Sequence, residues 1–437
     1  MKMSMKKLGL ILAGFSGFAA YAQPEIENWL MNQGEYASYW ENTGGGPGNP
    51  DNFVFSTSTV LANVTRVCYN STYVWVESDG MTTNMGQFLN PGAPTEQNYT
   101  YRFPRTPTVP ATKTGSPYVG SIGLLNNGVP VYGLSNAHYY NGSGNNGMGV
   151  GTWNVEVYLS EGFVLDSTLG AHPQQQGAYH SHAKPYRLYS TTPSTEHSPI
   201  VGYAFDGYPI YGPYGYSTAM DASSGISRMK TGYGLRNITT RTTLPDGSSL
   251  SAANYGPAVS STYPLGTYIE DYQWSAGNGG DLDEYNGRFC VTPDYPSGTY
   301  AYFVTIDANG TPEFPYYIGT EYYGAPEVDD ITMGATITVP SSGVSCFTDP
   351  LSVNEAAQKE TILVAPNPSN GLFNLQLPDV SGNTTVEIYN TAGQQIFQQT
   401  ITTNELIIDL SAQNSSGVLL LKVTNNGQSY YSKIALK

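Results

Sequence analysis

Residues 177–182 read Gly-Ala-Tyr-His-Ser-His, which puts two imidazoles two positions apart in an aromatic run. In an extended chain, residues i and i+2 point to the same side and lie about 6.5–7 Å apart. Two imidazoles at that spacing can turn their nitrogens onto one metal ion, and each disfavours protonation of the other. The chain holds 5 histidines. They are His138, His172, His180, His182 and His197, all within one short span. His172 precedes the pair by a Pro-Gln-Gln-Gln-Gly loop that can fold back on it. His197 and Asp206 follow in Glu-His-Ser-Pro-Ile-Val-Gly-Tyr-Ala-Phe-Asp-Gly-Tyr-Pro. Two or three histidines with a carboxylate suit Zn, Cu, Ni or non-haem Fe. The candidate metal ligands are therefore His180, His182, His172, His197 and Asp206. Each also has a plain structural role open to it. The paired rings can pack between tyrosines, His197 can anchor a turn, and Asp206 opens a turn at Gly207. His138 reads as an exposed loop residue.

A second spot with chemistry is Asp281-Leu-Asp-Glu-Tyr-Asn-Gly287. Oxygen donors at 281, 283 and 286 could hold Ca²⁺, although the full twelve-residue loop and its closing Glu are absent. Asp283 or Glu284 could instead approach the histidines as a metal ligand or a proton-transfer group. Neither a Gly-x-Ser-x-Gly elbow nor a glycine-rich loop between strand and helix occurs, which argues against a serine hydrolase and a nucleotide enzyme.

The elements that must position these residues are mainly β. Glycine (49), proline (29) and tyrosine (36) are abundant while charged residues make up only 12%, a composition of turns and aromatic strands. Period-2 alternation at Tyr73, Trp75, Glu77 and at Tyr99, Tyr101, Phe103 marks strands with one buried face. Two internal echoes stand out. Asn127-Gly-Val-Pro-Val-Tyr-Gly133 parallels Asp206-Gly-Tyr-Pro-Ile-Tyr-Gly212, and Gly177-Ala-Tyr-His-Ser-His182 parallels Gly298-Thr-Tyr-Ala-Tyr-Phe303. If both are true repeats, the core has two related halves, the second without histidines; turn chemistry alone could also produce the first echo.

The ends of the chain set its route. Lys2, Lys6 and Lys7, the apolar run from Leu8 to Ala20 and Ala20-Tyr-Ala22 form a secretory signal peptide, residues 1–22. Its removal takes 18 basic residues to 15 against 34 acidic ones, leaving about −19, the wrong sign for nucleic acid. The mature chain shows no transmembrane segment. Cys68, Cys290 and Cys346 allow one disulfide and one free thiol, with the pairing open. The core runs over 23–350, a polar linker over 351–360, and 361–437 are short β-patterned runs separated by turns, the pattern of a small β-sandwich.

Two resemblances follow from these residues. The set Ala365-Pro-Asn-Pro368 with Gly371, Val386-Glu-Ile-Tyr-Asn-Thr-Ala-Gly-Gln-Gln-Ile396, Ser416-Gly417 and the terminal Lys437 resembles the C-terminal sorting domain of the type IX secretion system of Bacteroidetes. The resemblance implies a small Ig-like β-sandwich, contact with that secretion machinery, and delivery to the cell surface or the medium. The run from Gly170-Ala-His-Pro through Tyr179-His-Ser-His182, His197-Ser-Pro, Gly279-Gly-Asp-Leu-Asp-Glu and Phe314-Pro-Tyr-Tyr-Ile-Gly319 resembles the YHYH family of secreted proteins. It covers roughly residues 53–323, with the motif region at 117–323; turn density and aromatic alternation make this core β-rich, a sandwich or a barrel, with irregular loops. Here the second tyrosine of the name motif is Ser181. The late copy of the motif, present in many members, stands as Tyr300-Ala-Tyr-Phe303 without histidine. The family carries no established activity, so catalysis stays open. The reading is a secreted protein that binds a divalent or transition metal (Cu, Zn or Fe) through its histidines. The alternative is a glycan-binding or surface-matrix module, motivated by 36 tyrosines and 5 tryptophans.

Overall fold

The computed structural model describes residues 23–436 apart from 45–49, 84, 91, 333–335, 349–362, 366–368, 378–383, 391–393, 404, 412–416 and 426–427. The proposed signal peptide, 1–22, and the linker, 351–360, lie outside the described residues. The chain divides into two compact units, Met1–Leu351 and Ser352–Lys437.

The first unit is mainly β and is organised by an eight-stranded sheet. Its strands are β1 (Ser121–Leu125), β2 (Pro130–Tyr132), β3 (Ala171–Pro173), β4 (Tyr179–Ser181), β5 (Ile200–Ala204), β6 (Pro209–Tyr211), β7 (Gly287–Cys290) and β8 (Thr299–Phe303). The spatial order is β3-β4-β2-β1-β5-β6-β8-β7. Both edges are open, so this sheet does not close into a barrel.

The two sequence echoes occupy matching places in it. β1 and β2 form a hairpin with Ser121 opposite Tyr132, Gly123 opposite Val131 and Leu124 opposite Pro130. β5 and β6 repeat it with Ile200 opposite Tyr211, Gly202 opposite Ile210 and Tyr203 opposite Pro209, and with the register slip at the same position. The turns repeat as well. Asn127 Oδ1 accepts Val129 N–H at 3.3 Å and Asp206 Oδ1 accepts Tyr208 N–H at 3.2 Å, each an Asx turn. β4 then joins β2 in parallel, Ser181 opposite Val131, and β8 joins β6 in parallel, Tyr302 opposite Ile210. At the centre, β1 and β5 run antiparallel with Gly123 opposite Ala204 and Leu125 opposite Gly202. A Cβ on Gly123 would sit 2.7 Å from Tyr203 O, and one on Gly202 would sit 2.4 Å from Leu124 O. The same close approach is thus required twice, once on each side of a pseudo-twofold axis.

Alternation along these strands buries both faces of the sheet. Ile122, Leu125, Val131, Val201, Ile210, Tyr300 and Tyr302 pack into one apolar core. Leu124, Ile200, Tyr203, Tyr211, Ala301 and Phe303 pack into another. A four-stranded antiparallel sheet that includes Val64–Tyr69, Tyr73–Ser78 and Tyr99–Pro104 completes the second core. Cys68 bonds Cys346 across the neighbouring strands Val64–Tyr69 and Ser345–Phe347, and Cys290 is a buried free thiol.

The second unit is two antiparallel sheets. One holds Leu363–Ala365, Leu372–Gln376 and Glu405–Asp409; the other holds Gln395–Ile401, Thr384–Tyr389, Gly417–Asn425 and Gln428–Leu436. Phe373, Leu375, Val386, Ile388, Leu421 and Val423 form their shared core. No helix among the described residues is long and apolar enough to cross a membrane.

Candidate metal centre

Strand alternation aims the histidines. On β4, Tyr179 and Ser181 face the first core. The Tyr179 hydroxyl bonds the Asp166 carboxylate, and Ser181 Oγ donates to Leu169 O at 2.6 Å and meets Tyr317 Oη at 2.6 Å. His180 and His182 therefore face the other way. β3 pairs with β4 so that His172 lies opposite His180. All three rings are buried, and a ligand atom from each lies within 4.8 Å of the others.

The far side of each ring fixes its proton. His180 Nδ1 lies 2.9 Å from Ala178 O, and His182 Nδ1 lies 3.3 Å from Gly133 O. A carbonyl only accepts, which favours the tautomer with hydrogen on both Nδ1 atoms and a lone pair on both Nε2 atoms. His172 Nδ1 lies 3.2 Å from Asn90 Oδ1, while Asn90 Nδ2 donates to Pro173 O at 2.8 Å, which sets the amide's orientation. The two lone pairs of His180 and His182 nevertheless meet, Nε2 to Nε2, at 2.9 Å. Two neutral acceptors do not bond each other. Two ligands held about 2.1 Å from one ion lie about 3.0 Å apart at a right angle and about 3.4 Å apart at the tetrahedral angle, so this contact is near a ligating separation. Nδ1–H on a carbonyl with Nε2 turned inward is also the usual support of a metal-bound imidazole.

A carboxylate completes the cluster. Glu161 Oε2 lies 3.4 Å from His172 Nε2 and 3.9 Å from His182 Nε2. It ends the short helix Val157–Glu161, which is anchored at its start by Glu156. The Glu156 carboxylate accepts Tyr158 N–H at 2.9 Å, Leu159 N–H at 2.7 Å and the Tyr316 hydroxyl at 2.8 Å. Tyr132 of β2 stacks on the His180 ring, centroids 3.9 Å apart.

Electrostatics keep His180 and His182 ready to ligate. Burial, with the neighbouring His182 and His172, holds His180 well below the ordinary histidine range. Burial and His172 push His182 down to about 4, against the pull of Glu161. Burial would raise Glu161, but the His172 hydrogen bond and the charges of His182, His172 and His138 outweigh it and lower the carboxyl.

Residues 100–315 match the family described as YHYH protein. This stretch is a YHYH domain. Its name motif is Tyr179-His-Ser-His182, and the serine points away from the histidine face, so its substitution leaves the cluster intact. Residues 363–437 match the secretion system C-terminal sorting domain. That tail indicates type IX secretion, to the cell surface or the medium, and implies contact with the secretion machinery. No curated protein matches the chain.

Within the YHYH domain the cluster gathers three of the seven residues singled out from sequence, and the other four lie outside the cluster. His197 Nδ1 bonds Ser198 O at 2.8 Å, and its ring packs on Tyr211, Tyr216 and Phe303 in the second half of the sheet. Asp206 is buried beside the first core. Its Oδ2 accepts the Tyr302 hydroxyl at 2.6 Å and Gly324 N–H at 2.8 Å, and burial raises it to about 6. Asp283 Oδ1 takes Tyr285 N–H, Gly287 N–H and the Tyr300 hydroxyl at 3.0, 3.2 and 2.7 Å. Glu284 is exposed, and its carbonyl accepts the Tyr233 hydroxyl at 2.6 Å. In the 281–287 turn, Asp281 Oδ2 accepts Lys230 N–H at 3.0 Å. Glu161, Asn90 and Tyr132 were not foreseen. Glu161 is the nearest acidic residue before His172 apart from Asp166, and that proximity was the only signal available.

Proposed function

We propose that the YHYH domain holds one transition-metal ion through Nε2 of His172, His180 and His182, with the Glu161 carboxylate as fourth ligand. The observation that carries this reading is the 2.9 Å approach of two Nε2 atoms whose rings place their Nδ1 atoms on backbone carbonyls. A cation between them turns a repulsive contact into two bonds. Three imidazoles and one carboxylate suit Zn, Cu or Fe. Buried neutral imidazoles lose little to proton competition at neutral pH. In this reading residues 1–22 start export, the YHYH-bearing unit is the cargo, and the tail is its address.

Elemental analysis of the secreted protein, purified without chelator or histidine tag, tests this. About one equivalent of a single metal is expected, lost in the His180→Ala/His182→Ala variant. Stoichiometric metal that survives the double substitution would contradict the assignment.

A further inference from the structure

The histidine cluster has a dry side and an open side. His180 and His182 are buried behind Tyr132. His172 and Glu161 instead form part of the wall of a cavity of about 620 Å³, whose other walls include Asn136, Gln174, Gln176 and Phe163. A structural metal site is closed by protein on all sides, whereas a site that does chemistry or captures a ligand keeps one position open to a cavity. The cavity's own chemistry limits what can enter. Neither lysine nor arginine lines it among the described residues, and its acidic wall is Glu161 itself. Amide side chains offer both donors and acceptors. The Phe163 ring is 72% exposed at the same place. A flat apolar ring beside neutral hydrogen-bonding walls matches a sugar, which has an apolar face and a rim of hydroxyls, and gives an anionic chain no counter-charge.

Resting on the metal reading above, we infer that the ion, held by four protein ligands, keeps an open fifth coordination position facing this cavity and takes there a hydroxyl oxygen of a neutral saccharide. The cavity brings the ligand to the His172–Glu161 side of the ion, while His180 and His182 hold the ion from behind.

The test uses the full secreted protein loaded with cobalt(II), whose visible spectrum reports coordination number. Azide should shift the spectrum saturably, and xylohexaose or cellohexaose should compete with it while hexagalacturonate does not. Ala93→Trp, which fills the cavity from a non-ligand position, should keep one cobalt and lose both responses. Phe163→Ala, an exposed change, should keep cobalt and azide and weaken saccharide competition about fivefold. A cobalt spectrum indifferent to azide would mean a closed site and overturn the inference with the metal reading intact. Azide binding without competition by neutral saccharides would overturn the ligand class. Failure to load cobalt would overturn the metal reading itself.

Discussion

The two halves of the central sheet share one backbone plan and differ in what they place on one face. In the first half that face carries His172, His180 and His182. The strand pairings put Arg288, Ala301 and Phe303 at the matching positions. Tyr132, stacked on His180, corresponds to Tyr211, stacked on Phe303 with centroids 5.8 Å apart. The Arg288 guanidinium lies over the Phe303 ring at 5.6 Å, and its terminal nitrogen donates to Tyr216 O. One half thus converges three imidazole nitrogens, and the other fills the same position with a ring and a cation. The scaffold accepts either, so it places side chains without dictating their chemistry.

The largest expected effect comes from giving the first half the residues of the second. The His172→Arg/His180→Ala/His182→Phe variant should fold, with a cooperative melt by circular dichroism, and should bind no metal. Metal retained by that variant would separate the metal from the histidine face.

Acid should act on the first half through His182. Its folded value of about 4 lies below the ordinary 6.5, so the unfolded chain takes the proton first. The stability of the metal-free protein should therefore fall as pH drops from 6.5 to about 4, by about 3 kcal/mol for this group. Raised carboxyls work the opposite way, losing stability as pH rises. Asp206 and Asp283 are pushed up to about 6 and Glu270 to about 7, mainly by burial. Denaturant midpoints of wild type minus His182→Phe isolate the histidine's share. A difference that does not vary with pH over that window would remove the claim that it is held neutral.

Glu161→Gln keeps the shape and removes the charge, and should weaken metal affinity about 100-fold in a competition titration with a chromophoric chelator. Asn90→Ala removes only the partner of His172 Nδ1 and should cost about tenfold. His197→Phe, confined to the second half, should leave metal content unchanged. A loss there equal to that of Glu161→Gln would erase the distinction between the halves.

Part of this was legible in sequence. Period 2 alone put His180 and His182 on one face and turned Ser181 away. The two echoes marked the repeated turn-and-strand segments, and the structure adds what they become, two hairpins each joined by a parallel strand. The β-rich core and the sandwich tail also followed from local signals, whereas three cysteines only allowed one bridge and the structure supplied its pairing. The convergence on Glu161 did not. Its helix is one and a half turns long and is held by Tyr316, far along the chain, so nothing local distinguishes it from other acidic residues. Proximity in sequence misled for His197 and Asp206. The chain passes through β5 into the second half before reaching Asp206, and Asp206 sits on the opposite face, bonded to Tyr302. Asp283 satisfies the turn that leads into β7.

The most direct measurement is an anomalous difference map collected across the absorption edge of whichever metal the purified protein contains. The account predicts one peak, about 2.1 Å from Nε2 of His172, His180 and His182, and none beside Arg288, Ala301 and Phe303. A peak elsewhere, or full histidine occupancy with no peak between the rings, would contradict it.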